Sequence, residues 1–403
     1  MPNKYTLTLG GQPADDTLYT LITSLEVEEG MDMATAMQIS LPVSRSDSGD
    51  LAYVSDSRFA PLAPVTVVAT AGGSGAAGVT TGPAGGVASA LGGGPAPSAD
   101  QCIFDGYVLS QKLRLETGVT NSTVSIWGQD ASWLMSQTEK AREWPDVTDS
   151  DVAATIFGEY GITPSDQNTQ DDSASHTSDT HSLMQRGTDI AFLRMLARRG
   201  GKACRIACAD KPGQRTGFFA TPKLDGDPAV TLTLNDPANW TVSALDFEWD
   251  ATRPTAVAAR TALFSDSDPA GAVGDTSDSG LKNLSDQDLA TFAGKPTTVM
   301  LTAAVDNVGD LTLRAKALLR EAGWFARCDG EADADRVGVV LRPGMLVAVT
   351  GVGAMFSGSW LIWSVRHKFT QEGHKMNFTL LRNGVGATAA SGGSLLSAAA
   401  GAL

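Results

Sequence analysis

The stretch that most constrains this chain is residues 341–382, LRPGMLVAVTGVGAMFSGSWLIWSVRHKFTQEGHKMNFTLLR. From Trp360 onward its side chains alternate with period two, which places Leu361, Trp363, Val365, His367 and Phe369 on one face and Trp360, Ile362, Ser364, Arg366 and Lys368 on the other. That is a long strand. The polar group TQEGH, with Gly373 free to take a positive φ, turns the chain, and Met376, Phe378 and Leu380 restart the alternation on a returning strand. Upstream, Pro343-Gly344 opens a third strand over residues 345–350, and Gly351, Gly353 and Gly358 supply the turn into Trp360. Such a meander must bury one face, so it dictates a β-barrel or sandwich and no particular chemistry.

The rest of the chain repeats this β character around a helical middle. Residues 3–9, 18–28, 32–43 and 64–70 read as strands rich in β-branched residues. Residues 71–99 are almost entirely Gly, Ala, Ser, Thr and Pro, and structure resumes at Cys102, so this piece is a loop between two strands of one domain. Residues 133–140 and 148–160 read as helices, the second with Thr148 as N-cap and Asp151 near N3. A polar run over 164–181 follows. Then QRGTDIAFLRMLARRGG carries Ile190, Phe192, Leu193, Leu196 and Ala197 as an apolar stripe, Asp189 near its start, Arg198 and Arg199 near its end, and Gly200-Gly201 to stop it. Short strands fall near 203–209, 217–220 and 229–234, β pattern returns from Val242, and residues 310–322 make one more amphipathic helix. At 403 residues the chain holds two or three cores. The fold expected is mainly β with an α+β middle: a first β-domain at 1–128, a helical module at 129–240, a second β-domain at 241–383 and a flexible tail at 384–403.

A net charge of −15 argues against sequence-independent nucleic-acid binding, which needs clustered Lys and Arg. No segment reaches the length and apolarity of a membrane span, and the N-terminus lacks a signal pattern, so the expected location is the cytoplasm during assembly. Catalytic patterns are absent. Gly72-Gly73-Ser74-Gly75 breaks the nucleophile-elbow pattern at Ala76. His176, His181, His367 and His374 form no HExxH, and a metal site at His176 and His181 with Asp171, Asp172 and Asp179 lacks a rigid supporting shell. Gly351-Val352-Gly353 precedes a strand where a phosphate cradle needs a helix. Cys204 and Cys208 read as a reduced, buried pair, and Asp246 and Glu248 as solvent-side strand residues. No catalytic, metal or cofactor site is expected, which leaves a structural or interaction protein. The alternatives are a cell-wall hydrolase, motivated by the many carboxylates, and a glycan-binding or adhesin module using an exposed Trp360.

Two segments resemble the phage late-control D proteins and the hub part of VgrG-type spike proteins. In the helix the matching residues are Gln185, Thr188, Asp189, Phe192, Leu193, Leu196, Ala197 and the closing Gly200. In the C-terminal meander they are Pro343, Gly344, Val347, Gly351, Gly358, Val365, His367, Phe378, Leu380 and Arg382. The order of parts matches from about residue 3 to 383. The resemblance implies a non-enzymatic baseplate hub of a contractile phage tail or phage-derived injection system. Two tube-like β-barrel domains per subunit would build a pseudo-sixfold ring from a homotrimer, joining a hexameric inner tube to a trimeric spike protein beside other baseplate proteins. It implies neither specific nucleic-acid binding nor membrane insertion, and its final location is the baseplate of the virion or injection particle. If the acidic residues face the lumen, that lumen repels DNA. On this reading Leu361, Trp363, Val365, Phe378 and Leu380 fill a barrel, while Trp360, Ile362, Arg366 and Lys368 form a candidate interface.

Overall fold

The computed structural model describes residues 4–386 apart from 46–48, 72–99, 118–120, 169–171, 179–181, 210, 262–272 and 306–307. The loop expected at 71–99 and the tail expected at 384–403 therefore lie almost wholly outside the described residues. Most of the ordered structure is β. A 13-stranded sheet runs through both ends of the sequence. Its first part contains the strands Tyr5–Leu9, Pro64–Thr70, Asp100–Arg114, Thr123–Asp130, Ala36–Pro42 and Ser24–Gly30; its second contains Gly358–Thr370, Gly373–Arg382, Ala326–Asp333 and Val242–Trp249. The join is antiparallel, from Ser364 opposite Gly30 to Phe369 opposite Leu25. Within the described residues no closed barrel forms, and the sheet ends freely at Val242–Trp249 and at the short strand Gln12–Pro13.

Alternation explains the two large cores. Leu7, Leu9, Leu25, Val27, Met37, Ile39, Val65 and Val67 point inward around Phe104 in the first. Val347, Trp360, Ile362, Val365, Met376, Phe378 and Leu380 do so in the second. A third core packs the helices Asp149–Glu159 and Asp189–Gly200 on the hairpin Ala203–Cys208 with Arg215–Ala220.

Three expectations change. Residues 18–21 are the end of a short helix, Asp16–Leu21, capped by Asp15 accepting from the Leu18 N–H; the strand begins only at Ser24. Residues 133–140 are a 3-10 turn over Ala131–Ser136 followed by the strand Glu139–Trp144, because that segment pairs with Leu183–Thr188. Cys204 lies in the third core, whereas Cys208 contacts Cys102, so the two are not a pair; all four cysteines are free thiols.

The helices near 148–160 and 188–200 form as expected. Thr148 and Asp151 make a reciprocal capping box. Thr188 caps Asp189–Gly200, and Gly201 ends it with φ 63°. The left-handed stop therefore falls one residue beyond the motif glycine. A Cβ on Gly201 would approach the Ala317 Cα to 2.8 Å, so this glycine also lets the helix Val308–Gly323 pack closely. Arg320 of that helix, 2 % exposed, locks the corner by donating to the carbonyls of Gly200 and Ser279 and to the Asp172 carboxylate.

Candidate functional site

The helix signature builds a hydrogen-bonded anchor. Gln185, on the strand Leu183–Thr188 that leads into the helix, donates its amide Nε2 to Asp189 Oδ1 at 2.6 Å while its Oε1 accepts from Trp144 Nε1 at 3.1 Å. Lys140 Nζ and the Tyr160 hydroxyl each donate to Asp189 Oδ2 at 2.6 Å. Burial pushes the Asp189 carboxyl up, but these three hydrogen bonds outweigh it and hold the group below the usual carboxylate range. Phe192, Leu193 and Leu196 fill the third core beside Ile156, Phe157 and Phe219. Gly200 is buried in the last helical turn.

The C-terminal motif converges on a second, drier cluster. Pro343 and Gly344, whose φ is 89°, turn the chain so that the Gly344 N–H donates to the Ile362 carbonyl at 2.8 Å and the Pro343 carbonyl accepts from Arg205 at 3.1 Å. Arg342 beside them donates to Glu29 Oε1 at 2.7 Å and 3.1 Å, and His367 Nε2 stands 3.4 Å from Glu29 Oε2. His367 Nδ1 is 3.0 Å from His374 Nε2. Glu29, His367 and His374 are all 1 % exposed or less. Burial raises the Glu29 carboxyl, yet Arg342 and His367 together hold it below its ordinary value. Burial also lowers both imidazoles, that of His374 to about 2.

The remaining motif residues serve backbone and core. Gly351, with φ 80°, passes so close to the Leu234 carbonyl that a Cβ would collide with it, and Gly358 has φ 123°. Val365, Phe378 and Leu380 are buried in the second core. Arg382 is fully buried, donates to the carbonyls of Ser357 at 3.3 Å and Gly386 at 3.2 Å, and lies over the Trp360 ring at 5.5 Å.

The four candidate interface residues separate. Arg366 and Lys368 are exposed, paired across the strand with Glu28 at 2.8 Å and Glu26 at 3.8 Å. Trp360 and Ile362 are fully buried inside the second core and are not surface residues. A β-bulge between Ile362 and Ser364 is the reason: one extra residue shifts the period, so Trp360 and Ile362 share a face with Val365 and His367. The opposite face, Leu361 and Trp363, is itself covered by a small cluster with Leu224, Leu284 and Trp324, so neither belongs to the second core's interior. Beyond the bulge the outer face is polar. Glu26, Glu28, Asp246, Asp329, Glu331, Arg366, Lys368 and Asn377 line an open trough of about 580 Å³.

Several residues of these clusters escaped the sequence reading. Glu29 carried a signal, since it continues the inward register of Leu25 and Val27. Arg342 and Arg205 carried none, because their partners are remote in sequence. His176 sits against Asp149 at 2.9 Å with Arg199 beside it, while His181, Asp171 and Asp179 lie outside the described residues. Among the described residues no group of three His, Cys, Asp or Glu side chains is placed to hold a metal ion. None of their helices is long and apolar enough to cross a membrane.

This architecture is shared with tail proteins. A 43 kDa tail protein of prophage MuSo2 from Shewanella oneidensis superposes with a TM-score of 0.63 at 14% identity, covering 94% of this chain and 98% of that one. A tail protein of Neisseria meningitidis gives 0.59 at 14% identity over 95% and 97%. The Escherichia coli c3393 protein, a type VI secretion component described as similar to the bacteriophage tail proteins gp27 and gp5, gives 0.50 at 12% identity over 95% and 79%. The chain thus has a mostly β, tail-protein fold. In sequence, the family described as the Alg8 N-terminal domain matches residues 97–371, more than half of the chain, and on that match the chain belongs to it. That description is unrelated to the tail-protein likeness and names no activity. No curated protein matches.

Proposed function

We propose that the chain is a structural subunit of the baseplate hub of a contractile phage tail or a phage-derived injection system. Three copies would form a ring that joins a hexameric inner tube to a trimeric spike protein, with no enzymatic role. The observation that carries this reading is the whole-chain fold likeness to the Shewanella tail protein, over 94% of this chain and 98% of the other. The order of the late-control D motifs and their convergence on two buried anchors support it. The free sheet edges at Val242–Trp249 and Gln12–Pro13 are consistent with a barrel that closes only between copies, where neighbouring edges hide one another. The first and third cores support a division near residue 128, whereas Leu232 and the strand Val230–Thr233, paired with Leu346–Thr350, join the second core from before residue 240.

The five carboxylates of the polar trough, Glu26, Glu28, Asp246, Asp329 and Glu331, exceed its two cations Arg366 and Lys368, so the trough offers a net negative, ion-paired face to a neighbouring subunit or partner. Arg366 and Lys368 remain the contact candidates, whereas the glycan-binding alternative loses its motive because Trp360 is buried within the subunit. Native mass spectrometry of the chain mixed with a trimeric spike protein and an inner-tube protein from the same source tests the reading. A three-to-three complex with the spike is expected. A chain that stays monomeric and binds neither overturns it.

A further inference from the structure

Two imidazoles stand in contact inside the protein where the strand Ser24–Gly30 joins the strand Gly358–Thr370. One proton arrangement serves every contact. His374 Nε2–H donates to His367 Nδ1, and His367 Nε2–H points at Glu29 Oε2, which leaves both rings neutral and Glu29 charged against Arg342. An additional proton finds no acceptor. On His367 Nδ1 it would face the His374 N–H, and His374 Nδ1 is buried without a hydrogen-bond partner. The Glu29 carboxylate favours positive charge on His367, but burial outweighs it and the nearby cations oppose it as well. Arg342 lies across Glu29, and Lys4, itself paired with Asp335, acts on His374. Arg205 adds a third cation near Glu29 and Arg342, and burial pushes the Cys208 thiol beside that pair well up. The Phe369 ring stacks on His374 at 4.0 Å and meets the Tyr5 ring at a tilt at 4.8 Å, sealing the remaining side.

We propose that this cluster is an acid-sensitive latch: proton uptake by His367 and His374 separates the strand Ser24–Gly30 from the strand Gly358–Thr370, and the two β regions part while each keeps its own core. The join spans six residue pairs, and the first and second cores are otherwise built from separate strands, apart from Val340 and Phe369 reaching into the first. Local opening therefore disrupts far less packing than global unfolding. The device stands on the geometry of the join and is independent of the hub reading. In the opened state each imidazole returns to its ordinary value near 6.5, so each multiplies the opening constant by up to about tenfold for every pH unit between that and its folded value, and the two together by up to about a hundredfold.

Hydrogen exchange of the intact chain between pH 7.5 and 5, corrected for the intrinsic pH dependence of exchange, tests the latch. Expected is a steep loss of protection, up to about a hundredfold per unit below pH 6, for the amides of 25–30 and 364–369 that bridge the two strands, from a level well below that of Ile39, Val67 and Phe378, which exchange only through global unfolding. Protection at the join that ignores pH, or that equals the protection of the cores at every pH, overturns the proposal. The variant His374→Gln retains an N–H donor toward His367 and removes one titrating ring, so its slope should fall to about tenfold per unit. A folded variant with the full wild-type slope also overturns it. Should the variant not fold, the wild-type slope decides by itself.

Discussion

Asp189 and Glu29 are both buried carboxylates held by a cation, yet they sit in different kinds of surroundings. Asp189 collects Gln185 from the strand just before its helix, together with Lys140 and Tyr160, and the Lys140 side chain remains 31% exposed. Glu29 meets Arg342 across 313 residues of sequence, and the Arg342 side chain is only 10% exposed. The first anchor assembles within one module and keeps access to water. The second exists only after both ends of the chain have folded together, and it is dry, so losing a partner there strands a charge with no solvent to receive it.

That contrast can be broken by substitution. Glu29→Ala leaves Arg342 uncompensated and should cost about 3–5 kcal/mol in a urea melt; a loss below 1 kcal/mol would show that water already reaches the seam. Lowering the pH comes next. His367 and His374 have folded values below 6.5, so the unfolded chain binds more protons and stability falls as the pH drops below about 6.5. The loss is about 1.4 kcal/mol per pH unit for each imidazole. Asp189 and Glu29 are depressed carboxylates, whose contributions are present above their unfolded values and disappear only at more acidic pH. Melts between pH 7 and 5 therefore report the seam and not the helix anchor. Asp189→Ala should cost roughly 1.5–3 kcal/mol, because Lys140 and Tyr160 can turn toward water; a loss equal to that of Glu29→Ala would erase the distinction. Arg366→Ala with Lys368→Ala should change stability by less than about 1 kcal/mol, since exposed pairs contribute little. The same double substitution is expected to alter assembly with tube or spike in a pull-down, which ties these two residues to contact and not to folding.

The helix signature was legible because every element of it is local. Thr188 as cap, the apolar stripe, the terminal arginines and the Gly200-Gly201 stop are cues within one segment, and the structure reproduces them with the left-handed residue at Gly201. The meander was legible in its strands and turns and not in its faces. Alternation counted straight through Trp363 assigned Trp360 and Ile362 to the surface, and the bulge before Ser364 moved them inside. A bulge leaves no mark in composition, because it arises where the strand changes partner from Leu346–Thr350 to Ser24–Gly30. The helix expected at 133–140 failed for a related reason: pairing with Leu183–Thr188 overrode local propensity.

What the sequence determined by itself was the β, α+β, β order, the caps and stops of the helices, the turns at Gly344, Gly351 and Gly373, and the inward register of most strands. These depend on backbone sterics and periodicity, which act over a few residues. What only the tertiary structure decided was that both β regions share one sheet, that Glu29, Arg342, His367 and His374 meet inside it, and that Arg366 and Lys368 alone among the four interface candidates reach solvent. Those outcomes depend on which strand edges find each other across more than 300 residues. No local propensity encodes that choice; it follows from burying two apolar faces at once while pairing the charges caught between them.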